Sequence, residues 1–269
     1  MKPLVLSLLA RPAQRLDLSA VVPQRLAGLK QAEIGKLPLN TARDSVALGD
    51  AFRIRMGDPQ LIRIEGASDR LDQVGQGMTE GAIEVDGDVG IQAGRLMAGG
   101  RLTINGSAGP WAASGMKKGF IEITGDAGDR LGGPLAGETA GMRGGIVLVR
   151  GAAGERAGDR LRRGTIVIEG RAGAHAGSRM IAGTVLVRGE AGPMPGYLMS
   201  RGTILLGGGS PELSPTFVDC GMHELLAMRL MASFLAPYSA RTARLLARPL
   251  RRLAGDMAVH GLGEIFLCN

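Results

Sequence analysis

A phrase of ten residues, opened and closed by glycine, returns every 19 positions through the middle of this chain. It reads G-A-I-E-V-D-G-D-V-G from Gly81, G-R-L-T-I-N-G-S-A-G from Gly100 and G-F-I-E-I-T-G-D-A-G from Gly119. It comes back at Gly145, Gly164, Gly183 and Gly202. One interval, Gly119 to Gly145, is seven residues longer, and the excess lies around Gly132-Gly133-Pro134-Leu135. A looser copy spans Gln60–Gly66, and Phe52–Gly57 reads as an earlier, irregular one. Self-similarity at such a period marks a stacked architecture, because a unit this short cannot bury its own apolar face.

Each unit reads as one short strand and one return. Ile166 and Ile168 stand two apart, so both face one side of a strand. The return carries Ala157-Gly158, Ala176-Gly177 or Pro195-Gly196. Met97, Met116, Met142, Leu161, Met180 and Met199 each precede the next opening glycine by three, which predicts a second inward column. The pattern predicts parallel strands near 81–87, 100–106, 119–125, 145–151, 164–170, 183–189 and 202–207. Ile83, Leu102, Ile121, Val147, Ile166, Val185 and Ile204 are expected to form one buried line. The expected fold is all-β dominated: a right-handed parallel β-helix, a solenoid with one strand per rung, over residues 46–207. An N-terminal region (1–45) precedes it, and a C-terminal helical cap with a final strand (208–269) follows. A left-handed hexapeptide helix needs a sixfold pattern that fails in the returns. A pectate-lyase-type helix usually carries a secretion signal and polar or aromatic stacks, which are missing, and G-G-x-G-x-D calcium rolls are absent.

Composition narrows the class further. There are 44 glycines in 269 residues, without the three-residue period of collagen. No apolar run approaches the ~20 residues that span a bilayer. Lys2 and the short apolar stretch Leu4–Ala10, followed at once by Arg11-Pro12, make a poor signal peptide and read better as a buried edge strand. Two cysteines, Cys220 and Cys268, exclude a disulfide framework and an iron–sulfur cluster held by this chain alone. A cytoplasmic protein is expected.

The consensus G-x-[IVL]-x-[IVL]-x-G-x-A-G-x-x-A-G-x-x-[ML] resembles the G-x-G-x-G β-helix domain. That domain is shared by the C-terminal part of glutamate synthase and by the C subunit of formylmethanofuran dehydrogenases. The tail, with Leu213-Ser214-Pro215-Thr216-Phe217, a helical segment, Gly255-Asp256 and Gly261-Leu262-Gly263-Glu264-Ile265, is similar to the ending of that C subunit. The resemblance implies a non-catalytic scaffold subunit in one-carbon metabolism. Its complex is a formyltransferase/hydrolase, which passes formyl from formyl-tetrahydromethanopterin to a methanofuran-type cofactor and releases formate. The implied partners are a formyltransferase, an amidohydrolase-type hydrolase and a further subunit. The alternatives are the C subunit of a molybdenum or tungsten formylmethanofuran dehydrogenase, a stand-alone glutamate-synthase β-helix subunit, and an independent anion-binding solenoid. The arginine-heavy composition favours the bacterial, non-redox complex.

Residue chemistry offers little catalysis. Cys220-Gly-Met-His223 has half a zinc-site spacing and no second half. His223-Glu224 lacks the second histidine of a zincin helix, and His175 reads as an exposed return residue. No nucleophile, base and orienting group stand together, so no catalytic residue and no metal ligand is assigned. Charge is more telling. Residues 1–139 balance, whereas residues 140–269 hold 16 basic and 9 acidic side chains and carry the whole net charge of +7. Lys117, Lys118, Arg143, Arg162, Arg163 and Arg201 fall just before successive strands and predict a basic ladder along one corner. The family's cofactor carries a glutamate chain, so the resemblance makes this ladder a candidate track for it. Arg241, Arg244, Arg248, Arg251 and Arg252 form a second cluster without an intervening acid, with Pro249 expected to break the helix there. Nucleic acid is not expected, because aromatic interleaving and groove-reading motifs are lacking, and neither is a membrane partner.

Side chains between the two apolar strand positions point outward: Glu84, Thr103, Glu122, then Leu148, Val167, Leu186, Leu205. An apolar outward column must be covered. Either the helical segment His223–Ala236, through Leu226, Leu230 and Phe234, or a partner subunit is expected to lie on it, and the helix is favoured because it follows the last unit directly.

Overall fold

The computed structural model describes residues 2–209 and 211–268. Its body is a sheet of 13 strands. Nine of them follow one another in parallel: Asp58–Ala67, Ala82–Gly87, Ala98–Asn105, Lys118–Ile123, Arg143–Val149, Arg163–Ile168, Thr184–Val187, Arg201–Leu206 and the final Leu262–Leu267.

Their register is the sequence period made visible. Ile62, Ile83, Leu102, Ile121, Val147, Ile166, Val185, Ile204 and Ile265 are successive partners. All are at most 1% exposed, so the predicted column exists and gains one member at each end. Met97, Met116, Met142, Leu161, Met180 and Met199 are likewise fully buried. The returns stack as well. Single parallel bridges join Val89, Ala108, Ala127, Ala153, Ala172 and Ala191 in turn. Amides of Gln73, Gln92, Trp111, Arg130, Arg156, His175 and Met194 each donate to a carbonyl of the next unit. Both halves of a unit therefore satisfy their backbone groups on neighbouring units.

Glycine is required where rungs touch. Gly164 has φ +101, which a side chain rarely adopts, and a Cβ on Gly170 would meet the carbonyl carbon of Gly151 at 2.6 Å. The longer interval leaves the ladder intact: Met142 N donates to Gly132 O at 2.6 Å, closing residues 133–141 into a loop. Ile121 still pairs with Val147 across it.

The start of the chain joins the same sheet. Pro3–Leu8 is a strand, with Leu4, Val5 and Leu6 buried, but it lies one place in from the edge. The edge is Phe52–Arg55, antiparallel to it, so this segment is a strand without being a copy of the repeat. A second, four-stranded sheet ties Leu16–Asp17 to Leu71–Asp72 in the first return.

Beyond Leu206 the chain forms the strand Val218–His223, helices Leu226–Leu235 and Ala240–Leu246, and strands Leu250–Gly255 and Leu262–Leu267. The second helix stops before Pro249, as expected. The outward column is covered by the chain's own helices. Leu148, Val167, Leu186 and Leu205 are fully buried in one cluster with Met228, Leu235, Ala243, Leu246 and Phe266. The covering face differs from the expected one. Leu226, Leu230 and Phe234 are 69%, 63% and 51% exposed, and the first helix covers the sheet with Met228, Met231, Ala232 and Leu235. The segment His223–Leu225 is outside the helix, because His223 closes the preceding strand.

Ile166 sits between Val147 and Val185 in the column. Replacing it by alanine is expected to cost about 2–5 kcal/mol, read as a lowered melting temperature. Ile166→Asp should abolish soluble expression by placing an unpaired carboxylate between apolar rungs. A wild-type melting curve for either variant would refute the packing.

Candidate functional site

The six residues of the basic ladder are all exposed. Five of them, Lys117, Lys118, Arg143, Arg162 and Arg163, stand at the starts of three consecutive rungs, with Arg143 paired in register to Arg163. The next unit has Ile181-Ala182 at the equivalent place, so Arg201 stands two rungs from Arg163. Among the described residues none of the six has a carboxylate within 4.0 Å. Like charges at rung spacing repel, and water screens them here.

The second arginine cluster divides. Arg251 is bound to Asp219 across two antiparallel strands, and Arg252 lies 2.7 Å from Glu264. Hydrogen bonds from Arg251 and from the Gly221 amide hold the Asp219 pKa down to about 2. Arg241, Arg244 and Arg248 are exposed. Those three have no ion-pair partner among the described residues. Cys220 and His223 meet only through the Cys220 carbonyl, 3.0 Å from His223 Nε2. Among the described residues no group of three or more His, Cys, Asp or Glu lies together as metal ligands would. His175 is half-buried rather than exposed, edge-on to Tyr197 at 5.8 Å.

Two polar constellations emerge only in three dimensions. The first runs along the outward face into the cap. Arg101 contacts Glu122 at 3.2 Å, and Arg150 bridges Glu122 at 2.8 Å and Glu169 at 3.1 Å. The Ser239 hydroxyl donates to Glu169 at 2.5 Å, linking the repeat to the cap. Burial opposes the Arg150 charge, but Glu122 and Glu169 outweigh it and raise its pKa. Arg101 also lies 4.4 Å over the Phe120 ring, which stacks on Tyr238 at 5.2 Å. The sequence holds a signal for this. Asp86, Asn105, Thr124, Arg150, Glu169 and Arg188 share one repeat position, and charges facing a neighbouring rung are the sheet's ion-pair partners.

The second constellation sits at the loop that interrupts the period. Asp159, 1% exposed, accepts from Ser178 Oγ at 2.8 Å and from two nitrogens of Arg179 at 3.2 Å each. Arg130 approaches the same carboxylate at 3.8 Å. Within the loop, Glu138 is held by Arg95 at 2.6 Å and by the Leu135 amide at 2.9 Å. Arg160 donates to the Glu138 carbonyl at 3.1 Å. Trp111, Arg130, Asp159, Arg160 and Arg179, with the loop's Pro134 to Gly137, enclose a cavity of about 390 Å³. Its signal in the sequence is the insertion itself: an interval lengthened by seven residues in an otherwise regular stack.

Glu169→Ala should remove the acceptor that Ser239 and Arg150 share, leaving Arg150 held by Glu122 alone and cutting the link to the cap. A loss of about 1.5–3 kcal/mol is expected, the range of hydrogen bonds to charged groups, seen as a lower melting temperature. An unshifted melt would show that the network does not hold the cap.

No family model matches the chain. The C subunit of the formyltransferase/hydrolase complex Fhc of Methylorubrum extorquens is 47% identical over 254 residues, 94% of this chain and 95% of that protein. One polypeptide in the crystal structure of the formyltransferase/hydrolase complex from Methylorubrum extorquens, in complex with methylofuran, matches with a TM-score of 0.94 and 46% identity. That match covers 98% of this chain and 99% of the other. The C subunit of molybdenum-containing formylmethanofuran dehydrogenase 1 from Methanothermobacter marburgensis is 38% identical over 81 residues, 29% of this chain and 20% of that protein. The likeness to the dehydrogenase subunit is confined to part of each chain, whereas the likeness to the formyltransferase/hydrolase subunit runs end to end in sequence and in structure. The chain belongs to the C-subunit family of formyltransferase/hydrolase complexes.

Proposed function

We propose that this chain is the non-catalytic scaffold subunit of a cytoplasmic formyltransferase/hydrolase complex. The complex moves formyl from formyl-tetrahydromethanopterin to a methanofuran-type cofactor and releases formate. A formyltransferase, an amidohydrolase-type hydrolase and a further subunit would be its other members. The observation that carries this reading is the full-length match to the C subunit of such a complex. The in-register parallel strands support reading residues 46–207 as a right-handed parallel β-helix, with the N-terminal region 1–45 and the cap 208–269 each adding a strand to the same sheet. No helix is long and apolar enough to cross a membrane among the described residues.

The surface supports the assembly role. Leu226, Leu230 and Phe234 form an exposed apolar stripe, and Arg229, Arg241, Arg244 and Arg248 in the same cap are exposed without acids to pair with among the described residues. An apolar strip beside unpaired arginines suits a partner surface that is apolar at its centre and acidic at its rim. The basic ladder is the candidate contact for the cofactor's glutamate chain, with five cations on three adjacent rungs. Each exposed pair contributes about 0–1 kcal/mol, so retention would depend on several acting together and would weaken with salt.

Two experiments test this. Native purification of the tagged chain should bring down a formyltransferase and an amidohydrolase. A molybdopterin protein with iron–sulfur chains, or a partnerless soluble monomer, would overturn the assignment. In the complex, the double variant Arg162→Glu, Arg163→Glu should lose the bound cofactor while the subunits stay together. Disassembly would make the ladder a subunit contact, and unchanged retention would remove it from cofactor binding.

A further inference from the structure

We propose that the cavity at the loop interrupting the repeat is a binding site for a small organic dianion, a dicarboxylate or a phosphate monoester. Its charge is unbalanced. Arg130, Arg160 and Arg179 line the cavity against a single carboxylate, Asp159. The other acid of the region, Glu138, is engaged by Arg95 and by its own loop. The cavity therefore holds an excess of two positive charges in a half-enclosed space. Solvent screens exposed arginines well, but it screens less where walls exclude it.

Hydrogen bonding points the same way. The indole Nε1 of Trp111 is buried and has no acceptor among the described residues. A buried N–H left unpaired costs about 1–3 kcal/mol, so this donor calls for an acceptor that these side chains do not supply. Asp159 is already engaged by Ser178 and Arg179. A carboxylate or phosphate oxygen entering beside Trp111 would accept from the free nitrogens of Arg130 and Arg160, and a turn of the indole ring would bring its N–H, closed off in this structure, to the same oxygen. Arginine's planar fork matches either oxyanion.

The four residues share one backbone geometry. Trp111, Arg130, Arg160 and Arg179 have φ of 59°, 56°, 49° and 52°. That left-handed conformation belongs to the stack as a whole, since Gln73, Gln92 and Leu198 share it, and so it is not itself the signal. The signal lies in which side chains occupy those turns beside the insertion: one indole and three guanidinium groups. Apolar Pro134, Leu135 and Ala136 complete the wall, which favours a ligand with a short carbon spine over a bare inorganic ion. The cavity is lined by this chain's own residues, so the isolated chain is enough to test it.

Trp111 is the only tryptophan, so a single indole resonance reports on the cavity. Full-length chain labelled with nitrogen-15 would be titrated with glutarate, inorganic phosphate and sodium chloride at matched ionic strength. The indole cross-peak is expected to move downfield, saturating by about 10 mM for a Kd of about 1 mM. Movement with glutarate assigns a dicarboxylate, and movement with phosphate alone assigns a phosphate ester. Arg160→Gln, which leaves the Asp159 pairs in place, should weaken the response about tenfold. Arg130→Gln provides a second variant should the first fail to fold. No movement with either anion, movement equal to that with chloride, or unchanged affinity in a folded variant would overturn the proposal.

Discussion

Everything in this molecule hangs on the parallel register between one unit and the next. A unit has few apolar residues and cannot close a core, so its stability comes from its neighbours on both sides. The register that brings Ile166 under Val185 also places Glu122 beside Leu148 and Arg150 within reach of Glu169. A slip of one residue would turn the whole inward column to solvent. That constraint explains the glycines between rungs, because a side chain at Gly170 would hold adjacent backbones apart. It also explains why the insertion is expelled as a closed loop and not absorbed.

The same register divides the outer face in two. Towards the start of the chain it is polar and carries ion pairs such as Arg63–Asp86 at 2.7 Å. Towards the end it is apolar and disappears beneath two helices. The Arg150–Glu169–Ser239 chain crosses this boundary and couples the cap to the repeat. Glu169 and Ser239 are buried, so this polar link lies beneath the surface where the cap meets the repeat.

The stacked strands are legible in the sequence because their signal is periodic and strictly local: two apolar residues, one glycine and a fixed interval. The covering helix is legible as a helix, but not which face it buries. Leu226–Leu235 reads LAMRLMASFL, apolar on nearly every side. Leu226, Leu230 and Phe234 make as good a stripe as Met228, Met231 and Leu235, so helical periodicity cannot choose between them. Phe52–Arg55 shows a related limit. Alternation identifies a strand but not its direction, and this one runs antiparallel. Arg251 and Arg252 look unpaired along the sequence because Asp219 and Glu264 are distant there and meet them only across strands. The Asp159 cavity depends on contacts between units, which a reading of single units does not contain.

The two ends of the sheet carry a consequence for how the molecule behaves towards copies of itself. A stack of identical parallel rungs offers each terminal strand as a template, and an uncovered one invites end-to-end polymerisation. Here neither outermost strand continues the pattern. Phe52–Arg55 runs against its neighbour and carries Arg53 and Arg55, both exposed. Val218–His223 also runs antiparallel, breaks register between Asp219 and Met222, and contains Gly221. A rung from a second molecule finds strands of the wrong direction at either end, and charge at one and an irregular backbone at the other. The repeat can thus be long and regular inside while remaining a discrete body, with its length set by the chain and not by concentration.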